Sequence, residues 1–307
     1  MNMPSGLEIV FLGTGGALPT KQRGLPSLVV RRETELLMFD CGEGTQRQMM
    51  HAGIGLNKPM TLFISHLHPD HTLGLPGLLM TMTSLMREKP MHIYGPPGFS
   101  FFYKTLRKAL PVATSFSIEI TDLKPGDTVD RTGYIVKTTL AKHDIPCLAY
   151  SMEEKLRPGR FYPTKAKKLG VPEGPLWRQL QYGEAVKVDG RTVKPEEVTG
   201  PPRPGLKVVY AIDTRPVDRV RRLAKNADVL LHDGGFEESR REKADEYFHS
   251  TAKEAAEVAK SAGVKKLVLI HISAVSRDDS ILLKEARSVF KDTIVPKDLT
   301  TLFLNRP

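Results

Sequence analysis

Through the first 150 residues, short apolar or alternating runs are separated by turn residues: LEIVFLG (7–13), SLVVRR (27–32), ELLMFD (35–40), TLFISH (61–66), MHIYG (91–95), SFSIEI (115–120) and YIVKTTL (134–140). β-Branched and aromatic side chains at that spacing predict strands, so this half is sheet-rich. Helical spacing interrupts them over 73–86 and 99–110, bounded by Pro90 and Pro111, whose rings cannot continue a helix. After residue 206 the order becomes strand, helix, strand, helix: LKVVYAID, VDRVRRLAKNA, DVLLHDG, TAKEAAEVAKSAG, KKLVLIHI and ILLKEARSVFK. Alternation on this scale predicts an α/β fold with two sheets covered by helices rather than one doubly wound sheet.

Residues 155–194 fit neither pattern. Lys155, Arg157, Arg160, Lys165, Lys167, Lys168, Arg178, Lys187, Arg191 and Lys194 are opposed only by Glu173, Glu184 and Asp189, a net +7 out of +10 for the chain. Four prolines, Phe161, Tyr162, Tyr182 and Trp177, the only tryptophan, are interleaved. This composition predicts a protruding basic insertion, because a disordered linker is poor in aromatics and long irregular insertions in compact domains are usually functional. Charge concentrated in this way favours a polyanionic partner such as nucleic acid.

With 307 residues the chain can bury a core without disulfide or metal staples, so a metal site would serve chemistry rather than folding. The sequence has no run of 18 apolar residues, which excludes a membrane-spanning helix. Its opening, MNMPSGLEIV, has neither the basic nor the apolar region of a secretory signal. Cys41 and Cys147 are too few for a disulfide scaffold or a thiolate zinc site, and the expected compartment is the cytoplasm.

The densest chemistry is His66-Leu67-His68-Pro69-Asp70-His71, at the end of a strand-like run and just before a helix. Imidazoles and a carboxylate so close can converge on one or two cations. Such ligands without thiolate suit zinc, and also admit Mn2+ or Fe, in catalytic sites with open positions. His143, Asp213 and His271 each follow a strand-like run and so sit where α/β layers place their sites. Together these groups exceed what one zinc can use, which predicts two ions with one shared aspartate.

On these residues the chain resembles the metallo-β-lactamase superfamily and, within it, the ribonuclease Z family. The likeness runs through LGTGGALPT (12–20), FDCGEGTQRQ (39–48), FISHLHPDH (63–71), LGVPEGPLW (169–177), GPPRPGLKVVYAIDTRP (200–216), HSTAKEAAEVAK (249–260) and LVLIHIS (267–273). It implies an αββα sandwich of two mixed sheets flanked by helices, as a single domain over 1–307. The insertion at 155–194 would be a flexible, protruding substrate-binding arm. It also implies a zinc-dependent endoribonuclease that removes 3′ trailers from precursor tRNA, leaving a 3′-hydroxyl on the tRNA and a 5′-phosphate on the trailer. His66, His68 and His143 would hold one Zn2+, Asp70, His71 and His271 the other, and Asp213 would bridge them. Asp70 would also orient the attacking water or accept its proton. His249 would protonate the leaving oxygen, partnered by Asp233, which stands where the family has glutamate and whose shorter side chain calls for a shifted backbone. Lys165, Lys167, Lys168 and Arg178 in the arm would meet tRNA phosphates, and family members act as homodimers.

Some features are read from residues alone. Thr251 to Glu254 has the spacing of a capping box, which places His249 at the mouth of a helix N-terminus that favours phosphate. Pro69 should drive His68 to extended or polyproline geometry. Asp40 and Glu43 read as carboxylates that orient ligands or form turns. LGTGGALPT lacks both the dinucleotide fingerprint and a Walker lysine, so its glycines read as turn formers. In the loop that follows, Lys21 and Arg23 either touch substrate phosphate or face solvent. MTMTSLM (80–86) reads as core or subunit contact. Two other functions fit the sequence: another phosphodiesterase or hydrolase of the superfamily, and a metal-stabilised RNA-binding protein without catalysis.

Overall fold

Segments buried at every position, such as Met60–Phe63 and Val229–Asp233, need cover on both faces. They receive it in two mixed seven-stranded sheets flanked by helices. The structure is a computed structural model describing residues 6–110, 113–276 and 278–306. Residues 1–5 of the opening segment, and Pro111, read above as a helix boundary, lie outside the described residues.

The first sheet runs in the order Thr301–Asn305, Gly6–Gly13, Ser27–Arg32, Glu35–Phe39, Met60–Phe63, Met91–Gly95, Ile118–Asp122. Pairing is antiparallel as far as Glu35–Phe39 and parallel from there on. The second runs Thr293–Ile294, Lys266–Ile270, Val229–Asp233, Lys207–Ala211, Leu148–Glu154, Tyr134–Leu140, Thr128–Arg131, and its first four strands are parallel. Aromatic rings fill the space between the sheets. Phe39 lies 5.4 Å from both Phe63 and Tyr210, and Phe63 lies 5.4 Å from Tyr150. A buried tyrosine hydroxyl needs a partner. Tyr150 donates to the Ile64 carbonyl at 2.5 Å and Tyr210 to Asp40 Oδ2 at 2.7 Å, so this packing already reaches the residues around the site.

Leu75–Ser84 and Phe99–Ala109 contribute to the core of the first sheet, while Asp218–Leu223, Ala252–Ala262 and Asp279–Val289 pack on the second. The helix Ala252–Ala262 starts where the sequence placed it: Thr251 Oγ1 accepts from the Glu254 amide and the Glu254 carboxylate accepts from the Thr251 amide. Its buried face is mostly alanine, which lets its backbone approach the sheet closely.

Several expectations change. The helix read over 73–86 spans Leu75–Ser84, and a separate one-turn helix at Pro69–Thr72 precedes it. The run at 115–120 becomes a strand only from Ile118, because the Phe116 ring lies under the buried Arg87 guanidinium at 5.2 Å and Ser115 Oγ donates to the Arg87 carbonyl. Strands Leu148–Glu154 and Thr301–Asn305 carried no signal that the pattern isolated.

The chain forms two compact units. One comprises Val136–Met152, Leu206–Asn305 and the chain up to Val129; the other comprises Asp130–Ile135, Glu153–Gly205 and Arg306. The second unit contains the basic stretch, which is not irregular. It holds helices Pro163–Lys168 and Pro175–Gln181 and a hairpin of Val186–Val188 with Arg191–Val193, around Ala166, Val171, Leu180, Val186, Val193 and Val198. Elements this short give no periodicity to read, and both helices begin at a proline, which serves as a first-turn residue there.

Candidate metal centre

The candidate ligands follow the C-terminal ends of strands in both sheets. His66 follows Met60–Phe63, His143 follows Tyr134–Leu140, Asp213 follows Lys207–Ala211 and His271 follows Lys266–Ile270. Pro69 occupies the first position of a one-turn helix, and His68 takes φ −63°, ψ 148°, the polyproline geometry a following proline demands. That turn brings Asp70 and His71 to the same place as His66 and His68. Donor atoms of His66, His68, His143 and Asp213 lie within 4.8 Å of one another, as do those of Asp70, His71 and His271. Asp213 connects the groups: Oδ2 is 3.5 Å from His66 Nε2 and from His71 Nε2, and Oδ1 is 3.3 Å from His271 Nε2. All seven ligands read from the sequence therefore converge. Asp213 and His271 hold left-handed φ angles of 46° and 58°, backbone strain of the kind that collects at functional sites.

Groups behind the ligands set which nitrogen faces the centre. Asp40, at φ 56°, accepts from the Ser65 amide, Ser65 Oγ, Tyr210 OH and His71 Nδ1, the last at 2.8 Å. With Nδ1 engaged, His71 presents the Nε2 lone pair. Ser65 Oγ does the same for His66 through Nδ1 at 2.9 Å. Asp144, half exposed, lies 2.9 Å from His143 Nε2.

Burial disfavours charge on Asp213, but His271, His71 and His66 around it hold its carboxyl well below the usual carboxylate range. Asp70 is also driven far down: burial opposes ionisation, and the His271 and His71 imidazoles beside its carboxylate outweigh it. Burial and the neighbouring His71 push His66 down, and burial pushes His143 down, which keeps their lone pairs free. His71 goes the other way. Burial lowers its pKa, yet Asp213 and Asp40 raise it well above the ordinary value. A cluster that draws in a proton to balance its carboxylates is one in which a metal ion can take the proton's place. The Nε2 atoms of His71 and His271 and Oδ1 of Asp213 are buried without a hydrogen-bond partner among the described residues. Buried lone pairs facing a common centre fit a metal, so the donor set passes the test its chemistry sets.

Beside the cluster, His249 stacks on His271 at 4.9 Å between ring centroids. Its Nδ1 lies 2.8 Å from Asp233 Oδ2, which also accepts from the Thr214 and Ser250 amides. Asp233 thus reaches His249 from the end of its strand despite the shorter side chain. Burial lowers the His249 pKa, the Asp233 carboxylate raises it, and the outcome is about 9. His249, Asp70, Phe236 and Tyr247 line a cleft of about 420 Å3 together with Ala17, His68, His143, Asp213 and His271.

The remaining residues singled out from the sequence are placed as follows. Lys165, Lys167, Lys168 and Arg178 are exposed in the second unit; Lys165 lies over the Tyr162 ring at 4.8 Å, Lys167 over Trp177 at 5.7 Å and Arg178 over Tyr182 at 5.8 Å. Lys21 is exposed, but Arg23 is not the phosphate contact or solvent-facing cation expected of it. It is buried, and it donates to Thr14 Oγ1, to the Pro296 carbonyl and to Asp279 Oδ2. In MTMTSLM, Met82 is core whereas Met80 and Met86 are exposed. Sequence reasoning missed Arg215, whose guanidinium donates to the His249 carbonyl at 2.5 Å and pairs with Glu254. It also missed the Ala17 amide, which donates to Asp70 Oδ2 at 3.0 Å. An arginine two positions after Asp213 was the one visible sign of the first contact; a backbone amide leaves none.

Two family models match parts of the chain: "Anti-Pycsar protein Apyc1" over residues 7–116 and "Beta-lactamase superfamily domain" over residues 198–272. A Ribonuclease Z of Methanosarcina acetivorans is 47% identical over 96% of this chain and 97% of its own length. A Ribonuclease Z of Methanothermobacter thermautotrophicus is 45% identical over 96% of each chain. Among solved structures, the short form of human tRNase Z superposes with a TM-score of 0.71 at 25% identity, covering 96% of this chain and 98% of that one.

Proposed function

The chain belongs to the ribonuclease Z family and is a tRNA 3′-processing endoribonuclease, and from that premise we propose how its metal centre and basic unit divide the work. Two zinc ions would be held, one by His66, His68 and His143 and the other by Asp70, His71 and His271, with Asp213 placed to serve both. Bound there, such a pair supplies Lewis acidity toward the phosphodiester and lowers the pKa of water toward neutrality.

The chain's own residues do the rest. Asp70, kept ionised, accepts a hydrogen bond from the attacking water and orients it, and the water's proton passes to solvent as its oxygen joins phosphorus. The bond from phosphorus to the 3′ oxygen breaks, and His249, protonated through Asp233, gives its proton to that oxygen. The tRNA keeps a 3′-hydroxyl and the trailer a 5′-phosphate. Arg215 holds the His249 backbone in position for this transfer.

Exposed Lys165, Lys167, Lys168 and Arg178 bind the tRNA backbone by charge, which suits an enzyme that must accept many tRNA sequences. Lys21 joins them at the loop near the metal centre, and Arg23 acts within the protein instead. A homodimer working in the cytoplasm completes the reading; no described helix is long and apolar enough to cross a membrane. The observation that carries the proposal is the set of buried, unpartnered ligand atoms beside the His249 and Asp233 pair. Mapping both ends of the products from one precursor tRNA, with zinc and after chelation, tests it. A single zinc-dependent cut past the acceptor stem with a 5′-phosphate trailer is expected; a 3′-phosphate on the tRNA would overturn the assignment of His249.

A further inference from the structure

Lys21 apart, the hairpin loop from Gly13 to Gly24 has no role in the proposal above, yet it touches the metal cluster twice. The Ala17 amide donates to Asp70 Oδ2, the oxygen that lies 3.3 Å from His71 Nε2 and 3.5 Å from His271 Nε2. One residue earlier, Gly16 is so near His271 that a Cβ there would stand 2.3 Å from Nδ1. The backbones are also joined. Gly15 and Gly16 pair in parallel with Ile272 and Ser273, and the Ile272 amide donates to the Thr14 carbonyl at 2.9 Å. Both contacts fall on the Asp70, His71 and His271 half of the centre.

The hairpin is clamped from the far end of the sequence. Asp298 Oδ1 accepts from the Thr14 amide at 3.0 Å and from its hydroxyl at 2.6 Å, while Oδ2 accepts from the Gly24 amide at 2.6 Å. Buried Arg23 ties Thr14 to the Pro296 carbonyl and to Asp279. Ala17 itself has φ 60°, a left-handed conformation that persists only where the surroundings over-determine it. A clamp at both ends of the hairpin provides that determination.

We propose that this hairpin is the positioning element of the Asp70, His71 and His271 half-site: the Ala17 amide aims the Asp70 carboxylate, Gly16 seats the His271 imidazole, and Asp298 with Arg23 locks both in place. The glycine-rich segment therefore does more than turn the chain. The inference rests on the two-ion reading of the site.

Zinc binding to the full-length chain, followed by competition with a chromophoric chelator, tests it without reference to activity. The unaltered chain binds two ions. Gly16→Ala and Asp298→Asn each weaken one of them by about 10–100-fold, the range for groups that orient metal ligands, and leave the other unchanged. In a His68→Ala background, where the remaining tight site is the half in question, the same substitutions act on that site. Two sites of unaltered affinity in both variants would overturn the inference. Equal weakening of both sites, in variants that still melt cooperatively, overturns it too, since that is the mark of general packing. If Asp298→Asn does not fold, Gly16→Ala decides alone. An unaltered chain that binds fewer than two ions defeats the two-ion reading itself, and this inference with it.

Discussion

The two compact units are built differently. In the unit that holds the candidate metal cluster, distant neighbours fix some of the donors, Asp40 behind His71 and Ala17 behind Asp70, while Ser65 holds the adjacent His66. The basic unit closes a small core of its own around Leu180 and Val193 and leaves its cations exposed, resting on ring faces. Bond breaking needs groups held to a fraction of an ångström before substrate arrives, because reorganisation costs rate. Binding a backbone shared by all tRNAs needs charge density, which exposed cations supply without reading base sequence.

Removing the shared ligand should break the comparison most severely. Asp213→Ala is expected to lower single-turnover cleavage by about 10⁴-fold, about 5 kcal/mol of barrier, with zinc content reduced. Cleavage within tenfold of the unaltered chain would end the metal assignment.

His249→Ala should cost about 10²–10³-fold, within the usual contribution of a general acid. The sign of its pH dependence follows from the raised pKa. His249 carries its proton below about 9 and loses it above, so kcat/KM should fall as pH rises along the alkaline limb. Asp233→Asn removes the carboxylate that raises this pKa and should move that limb to lower pH. A limb that stays in place would assign the proton donor elsewhere.

Charge removal from the other unit should look different. Replacing Lys165, Lys167 and Lys168 with alanine is expected to weaken precursor tRNA binding about tenfold at 0.15 M salt and to flatten the slope of log K against log salt by about 2–3. Hydrolysis of a small phosphodiester should be unchanged; a parallel loss would mean that the two units do not divide the work.

The smallest effect tests the frame rather than the site. Thr251→Ala removes one end of the capping box and should lower unfolding stability by about 1 kcal/mol, read from the denaturant midpoint. No shift would mean that packing of the alanine face carries the helix alone.

Much of the site was legible because the ligands at 66–71 are neighbours and because His143, Asp213 and His271 each close a strand-like run. Asp233 and His249 came from likeness to a family, and the structure brings them together at 2.8 Å. The fold was legible at the level of two helix-covered sheets. Strands Leu148–Glu154 and Thr301–Asn305 were not, since neither stands out by alternation from its surroundings. The small elements of the basic unit escaped for a related reason: helices of six or seven residues make too few turns to show a period.

Residue types and their order along the chain set the chemical inventory: which donors exist, which of them are adjacent, where strands end, and where charge accumulates. Those properties are local, set by side-chain type and by spacings of a few residues. Tertiary structure decided which atoms face the centre and which residues stay free to act. Arg23 reads as a surface cation until Asp279, 256 residues later, and Pro296, 273 residues later, meet it in the folded chain. Ala17 has no chemistry of its own until Asp70, 53 residues on, comes to its amide. Contacts between distant segments depend on how the whole core packs, and no spacing along the chain encodes them.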